Sequence, residues 1–145
     1  MEIYLPPQQL TSHQPPALLV ARLLETRADG SFACTELLPG AYDLLQCCEA
    51  AAQSVAVLMG HCGRQQQGAQ AEPAQGMLIS LKNARLHQAI PDTTNCRMTI
   101  ERVASMPPLA MYQATYRDAE QASLMEVTLQ IMSTTRSKQD KGMTA

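Results

Sequence analysis

The hydrophobic pattern of the chain changes period twice. Residues 17–27 and 31–38 are two apolar runs separated by Asp29-Gly30, a strong turn signal, and they predict a β-hairpin. Residues 43–59 follow the break at Pro39-Gly40, are rich in Ala and Leu, and contain no Gly or Pro, which predicts a helix. Beyond it the period falls to two, and four strands are predicted over residues 77–85, 96–101, 109–118 and 125–131. This order predicts an α+β fold, with an antiparallel sheet of five to six strands around one long central helix.

The segments between these elements are polar. Residues 63–76 form a Gln- and Ala-rich stretch of low complexity, which predicts a loop. Prolines at residues 90–92 and 106–108 predict turns between the later strands. We therefore predict a single domain over residues 1–133 and a disordered polar tail over residues 134–145.

Composition narrows the classes of function. The 145 residues are 46% hydrophobic, enough to bury a core, and a net charge of -2 with no Trp and one Phe argues against nucleic acid as a partner. The apolar runs are shorter than the roughly 20 residues of a membrane helix, so no membrane insertion is expected. The N-terminus has neither a basic start nor an apolar run, so no signal peptide is expected.

The cysteines and histidines do not form a metal-binding pattern. The five cysteines are an odd number with no Cys-x-x-Cys pair, which indicates reduced thiols and a cytoplasmic location. His13, His61 and His87 fall in unrelated stretches without short ligand spacing, so we expect neither a metal nor a cofactor.

The predicted helix carries one acid within a polar stripe. Gln46, Glu49 and Gln53 are spaced i, i+3 and i+7, while apolar residues cover most of the remaining circumference. That distribution predicts cover by the sheet and by a second subunit, and hence a dimer. A desolvated carboxylate acquires a raised pKa, as general acids and bases do, and the alternative is that the two glutamines satisfy Glu49 at a subunit seam.

Four residues near this stripe have other interpretations. Cys47 and Cys48 flank the acid without an adjacent His, which indicates core packing. Asp43 is a plausible N-cap. Tyr42 and Asp43 also lie at the helix start, where amides and the dipole favour a carbonyl or an anion, so they are candidates for binding substrate.

Several of these stretches resemble one family. Glu49, three alanines and Gln53, opening a helix after Pro39-Gly40, resemble the central helix of hotdog-fold 3-hydroxyacyl-[acyl-carrier-protein] dehydratases. Residues 12–20 resemble the opening motif of that family, and residues 78–85 and 89–92 resemble its strand and turn after the helix. The similarity covers roughly residues 5–132 and is nearest to the divergent dehydratase-like subunits of aryl-polyene and type II polyketide clusters.

The resemblance implies a site shared between two subunits. A His before the helix of one subunit and the helix acid of the other move a proton from C2 and expel the 3-hydroxyl as water, while the helix N-terminus polarises the thioester carbonyl. Glu49 stands at the acid position, with Tyr42, Asp43 and Gln53 as candidate substrate-binding residues.

The His of the family has no counterpart in this chain. The loop that carries it is shortened, because residues 35–38 lead directly into Pro39-Gly40. His61, expected just past the helix, lies about 18 Å from Glu49 along the axis, and neither His13 nor His87 matches the catalytic position. Gln14 and Ala21 also replace an Arg and an Asp of the family.

Three functions remain open from the sequence. The chain is a degenerate dehydratase subunit of a homo- or heterodimer serving an acyl carrier protein, inactive alone and lending Glu49 to a partner. It is alternatively a hotdog acyl thioesterase that activates water with Glu49 or Asp43. The third possibility is a non-catalytic acyl-binding or assembly protein.

Overall fold

One long helix and one sheet make up most of the structure. The computed structural model describes residues 4–10, 18–67, 76–88 and 96–133. In chain order its elements are a 3-10 turn (Pro7–Gln9), β1 (Val20–Thr26), β2 (Phe32–Leu37), α1 (Leu44–Gln67), β3 (Gly76–Leu86), β4 (Arg97–Met106), β5 (Leu109–Arg117) and β6 (Ser123–Ser133).

The six strands form a single antiparallel sheet. Their order is β1-β2-β4-β5-β6-β3, with β1–β2 as a hairpin and β4, β5 and β6 as a meander. The strand after the helix, β3, crosses to the far side and pairs with β6. The predicted α+β architecture is confirmed, and β1 and β3 are the two edges of the sheet.

The core lies between the helix and the face of the sheet that it packs against. The helix contacts all six strands. Its alanines Ala50 and Ala51 are fully buried, and such small side chains let its axis approach the sheet closely. Larger side chains fill the rest of the space, each contributing about 1.5–3 kcal/mol of burial. The largest fully buried ones include Leu58, Val55 and Val57 of the helix and Met98, Ile100, Tyr116, Met125 and Leu129 of the sheet.

A pair of hydroxyl groups links the helix to the sheet within this core. The hydroxyls of Thr35 on β2 and Ser54 on α1 are both fully buried and lie 2.8 Å apart, within hydrogen-bond distance. Because an unpaired buried hydroxyl is unfavourable, this pair specifies how the helix sits along β2.

The helix extends beyond the predicted end at residue 59. It continues through Gly60 and Gly63 to Gln67, so the start of the predicted loop 63–76 is helical, and residues 68–75 lie outside the described part. Tertiary contacts explain the extension, because the carbonyl of Leu10 packs on Gly60 and Arg64 donates two hydrogen bonds (3.0 and 3.2 Å) to the Gln9 carbonyl. In the described ranges no helix, α1 included, is long and apolar enough to cross a membrane.

Three of the strands, β3, β4 and β6, run past their predicted limits, whereas β1, β2 and β5 are slightly shorter than predicted. β4 was predicted to end at residue 101 but continues to Met106, because its last residues pair with β5 across the turn at Pro107-Pro108. That turn is confirmed, and β3 and β6 are also longer than predicted. The predicted turn at 90–92 and the tail 134–145 lie outside the described residues.

Candidate functional site

The helix begins with a reciprocal cap. The Asp43 carboxylate accepts a hydrogen bond of 2.7 Å from the backbone N–H of Gln46. In return, the side-chain oxygen of Gln46 accepts one of 3.0 Å from the backbone N–H of Asp43. This is a capping box, and it confirms Asp43 as the N-cap. Gln46 was predicted to share a stripe with Glu49, but its side-chain oxygen serves the helix start instead.

Tyr42 stabilises the bend that precedes the helix. Its hydroxyl donates a hydrogen bond of 2.8 Å to the carbonyl of Leu38, and its ring centre lies 6.0 Å from that of Tyr116. Gly40 in the same bend has φ +153°, which few L residues adopt. Burial raises the pKa of the Tyr42 phenol, which therefore stays neutral. Its hydroxyl proton is thus committed to the backbone of the bend.

The Glu49 carboxylate is held by a buried amide. Gln53 is fully buried, and its Nε2 donates a hydrogen bond of 3.1 Å to Glu49 Oε1. Its oxygen accepts one of 2.6 Å from the backbone amide of Leu19, just before β1. Sequence reasoning missed Leu19, because a backbone amide carries no signature in the residue pattern. The Gln53 side chain thus links the entry of the first strand to the candidate acid.

Glu49 itself is exposed in the single chain, contrary to the expectation of a desolvated carboxylate. It lies on a face of the helix formed by residues spaced three or four apart, which we call the helix seam. The seam consists of Leu45, Glu49, Ala52, Ala56 and Met59. Leu45 is 76% exposed and the last three are half-buried, so the seam is apolar apart from one acid. An exposed apolar face at this spacing fits the predicted cover by a second subunit.

The cysteines beside Glu49 are packing residues, as predicted. Cys47 and Cys48 are both buried against the core. Burial, followed by the neighbouring Cys48 and Asp43, raises the pKa of the Cys47 thiol to about 12. Burial also raises the pKa of the Cys48 thiol. Since the thiolate is the nucleophile, neither residue is set up for covalent catalysis.

The histidines occupy separate parts of the fold. His61 was expected just past the helix but lies within it, twelve positions or about 18 Å along the axis from Glu49, with its ring against that of Tyr4 (centroids 5.0 Å apart). His87 follows β3 and lies 3.1 Å from a carboxylate oxygen of Glu126. His13, like most of the opening motif, lies outside the described residues.

A surface cavity lies away from these residues. It has a volume of about 160 Å³ and is lined by Arg97, Asp118, Ala119 and Gln121, near the β5–β6 turn. None of the site residues predicted from the sequence lines it. Among the described residues, no three His, Cys, Asp or Glu side chains are grouped as metal ligands would be.

Similarity to known structures is high in fold and low in sequence. A chain of the dehydratase heterocomplex ApeI:P from Xenorhabdus doucetiae superimposes with a TM-score of 0.78 at 11% identity, over 99% of this chain and 100% of that one. The chain has the hotdog fold. No protein-family model and no curated protein matches the sequence.

Other hotdog chains are also similar. A hypothetical thioesterase from Streptococcus pneumoniae, crystallised with coenzyme A, gives a TM-score of 0.59 at 10% identity, over 80% of this chain and 88% of that chain. An HP0420 homologue from Helicobacter felis gives 0.63 at 9% identity, over 91% and 90%. Identities near 10% establish the fold and leave the activity to be argued from the residues.

Proposed function

We propose that the chain is a degenerate subunit of a heterodimeric 3-hydroxyacyl-[acyl-carrier-protein] dehydratase, inactive alone, that contributes Glu49 to an active site completed by the partner's His. The acyl carrier protein and the aryl-polyene class of pathway belong to this proposal. The observation that carries it is the position of the Glu49 carboxylate: it lies on the helix seam and accepts a hydrogen bond from Gln53. An acid fixed on an apolar face is suited to an interface where a second chain excludes water.

The proposed reaction is an elimination. The partner subunit's His removes the C2 proton, the C2–H electrons form the C2=C3 double bond, and the C3–O bond breaks. Glu49 acts as the general acid and gives a proton to the departing hydroxyl, which leaves as water. Gln53 holds one carboxylate oxygen of Glu49 through its Nε2, while its own oxygen is bound to the Leu19 amide. No cofactor enters any step.

The start of the helix supplies the thioester end of the proposed site. Asp43 occupies the capping position, so its negative charge disfavours an anion there and leaves a neutral carbonyl as the group that the helix dipole would polarise. Tyr42 contributes its ring as a wall, since its hydroxyl is bound to Leu38. The ApeI:P dehydratase heterocomplex, which contains a chain of similar fold, supports a two-chain arrangement.

Co-expression with a neighbouring-gene hotdog chain that bears the His tests this proposal. Glu49→Gln in this chain alone should lower the dehydration rate of the purified complex by at least about 10²-fold, the usual contribution of general acid–base catalysis. Glu25→Gln, an equal change on the exposed surface of β1, is the control and should leave the rate unchanged. Gel filtration of each complex separates loss of chemistry from loss of assembly. An unchanged rate with Glu49→Gln would reduce the chain to a structural partner.

A thioesterase is the second candidate, favoured by the hypothetical thioesterase of the same fold crystallised with coenzyme A. Here Glu49 or Asp43 would activate water against the acyl thioester without a His. Release of thiol from acyl thioesters by the pure chain, abolished by Glu49→Gln or Asp43→Asn, would favour hydrolysis. If neither dehydration nor hydrolysis is observed, an acyl-binding or assembly role is left.

A further inference from the structure

A row of charged side chains crosses the face of the sheet that points away from the helix. Glu36 of β2 lies opposite Arg22 of β1 and Arg97 of β4, and Arg97 in turn lies opposite Arg117 of β5. Directly opposed residues share a face, and successive side chains of a strand alternate between faces. Since Met98 is buried in the core, Arg97 and its row face outward. The row contains three guanidinium groups and one carboxylate.

The carboxylate of this row is already engaged. Arg22 donates to one oxygen of Glu36 through its Nε and is within ion-pair distance through a terminal nitrogen. The next two members of the row, Arg97 and Arg117, carry the same charge. Like charges directly opposite each other on two strands are unfavourable. An anion bound by both guanidinium groups would replace this repulsion by attraction.

The surface cavity near the β5–β6 turn lies beside these two arginines. Arg97 lines it together with Asp118, Ala119 and Gln121. Arg117 donates a hydrogen bond of 3.1 Å to the carbonyl of Gln121, so its guanidinium group lies at the cavity wall and has further N–H donors to offer. About 10–15 Å³ is enough space to hold one water molecule. The volume of about 160 Å³ therefore has room for an ion of five heavy atoms.

Asp118 gives the cavity an acceptor beside these donors. Its Oδ1 accepts hydrogen bonds of 2.9 and 3.0 Å from the backbone N–H groups of Glu120 and Ala122, which fix the turn. These bonds use one of the two carboxylate oxygens, and an ionised carboxylate can only accept. An anion that carries a proton can donate to the other oxygen, whereas an anion without a proton is repelled by it. The cavity therefore discriminates between anions of equal charge.

We propose that Arg97, Arg117 and Asp118 bind inorganic phosphate as the hydrogen phosphate dianion. The two guanidinium groups donate to its unprotonated oxygens and balance its two negative charges. The free oxygen of Asp118 accepts a hydrogen bond from its P–OH group. Sulfate has the same shape and charge but no proton, so it is disfavoured. The site lies on the opposite face of the sheet from the helix and is independent of the proposed function.

Titration of the full chain at pH 8 tests this assignment. Inorganic phosphate is compared with sulfate and with methyl phosphate, which is a dianion without a P–OH group at this pH because the second pKa of a monoester is about 6. NMR shifts of the arginine Nε–H groups and of the turn amides Glu120 and Ala122 measure the affinity and locate the bound ion. Phosphate should bind at least about tenfold more tightly than either comparison anion.

Matched variants identify the donor. Arg97→Gln should weaken phosphate binding at least about tenfold, because hydrogen bonds to a charged group are lost. Arg85→Gln, the same change on β3 opposite Glu126, is the control and should leave the affinity unchanged. Arg22→Gln alters no cavity residue but releases Glu36, which then competes for Arg97 and should weaken binding by up to about fivefold.

The acceptor has its own variant. Asp118→Asn keeps an oxygen for the two turn amides and adds an N–H donor, so it should bind sulfate as tightly as phosphate. Circular dichroism checks that each variant is folded.

Three results would overturn the inference. Equal affinity of the wild type for phosphate and sulfate would indicate a basic patch without selectivity. Binding of methyl phosphate as tight as that of inorganic phosphate would indicate a phosphate ester as the ligand. Unchanged phosphate binding by Arg97→Gln, or no shift of the turn amides, would place the ion elsewhere. The titration uses neither acyl substrate nor second subunit, so its outcome is separate from that of the Glu49→Gln experiment.

Discussion

Replacing Gly60 by Ala should release the N-terminal segment from the helix. An added Cβ at this position would lie 2.6 Å from the carbonyl carbon of Leu10 and 2.9 Å from its Cα, well inside van der Waals contact. The obstruction is backbone and not a flexible side chain, so a rotamer change cannot relieve it. The segment must move away, and with it the fully buried side chain of Leu10.

Two opposing effects determine the magnitude. Losing the burial of one Leu side chain costs about 1.5–3 kcal/mol. The gain in helix propensity from Gly to Ala returns about 0.8–1.0 kcal/mol. The expected net destabilisation is about 0.5–2 kcal/mol, a decrease in Tm of a few degrees for a chain of this size. Urea unfolding followed by circular dichroism measures it.

Gly63 provides a matched control one turn further along the helix. A Cβ there meets nothing within 4 Å, so Gly63→Ala should only gain propensity and stabilise the protein by about 0.5–1 kcal/mol. Both variants gain similar helix propensity. The difference between their free energies of unfolding therefore measures the cost of displacing the N-terminal segment. Faster proteolytic cleavage near the N-terminus is expected for Gly60→Ala alone. Equal stabilisation by both substitutions would refute the packing of Leu10 on the helix.

Three further predictions concern buried polar groups and thiols. Gln53→Leu should destabilise the chain by about 1–3 kcal/mol, because the Leu19 amide loses its acceptor, and unchanged urea stability would contradict that bond. Thr35→Val and Ser54→Ala should each cost about 1–2 kcal/mol, and the double variant less than their sum. Strict additivity in that double-mutant cycle would argue against the hydroxyl pair. The raised pKa of Cys47 leaves stability intact below pH 9, where the thiol is protonated in both states. Stability should then fall by up to about 1.4 kcal/mol per pH unit from pH 9 toward 12, as only the unfolded state ionises. Cys47→Ala should flatten this decline in urea midpoints measured at pH 8, 9 and 10, and an unaltered slope would count against it.

Local patterns in the sequence were sufficient for the elements but not for their contacts. The Ala-rich helix, the strands of period two and the Asp43 cap depend on neighbours within four residues, and each is present. The helix end was wrong, because Gly60 and Gly63 have low helix propensity and the contact with Leu10 that outweighs it comes from a distant segment. The predicted end of β4 was wrong for the same reason, because pairing with β5 extends the strand.

The candidate site also has parts that local spacing predicted and parts that depend on distant contacts. Spacing alone identified Glu49 and Gln53 as neighbours on one helix, and the hydrogen bond between them is present. It could not indicate that Gln53 is buried and Glu49 exposed, because this depends on which helix face the sheet covers. The bond from Leu19 to Gln53 joins positions 34 residues apart, beyond the reach of any periodicity.

The anchored amide of Gln53 has a consequence for how a two-chain site would assemble. A long acidic side chain on a helix surface ordinarily samples several rotamers, and ordering a Glu side chain costs up to about 2 kcal/mol. Here Gln53, fixed by the Leu19 amide, restricts Glu49 before any second chain arrives. Part of the entropic cost of association is then already met during folding, which is preorganisation. In the proposed two-chain site, this chain would in this way determine how readily the complete site forms.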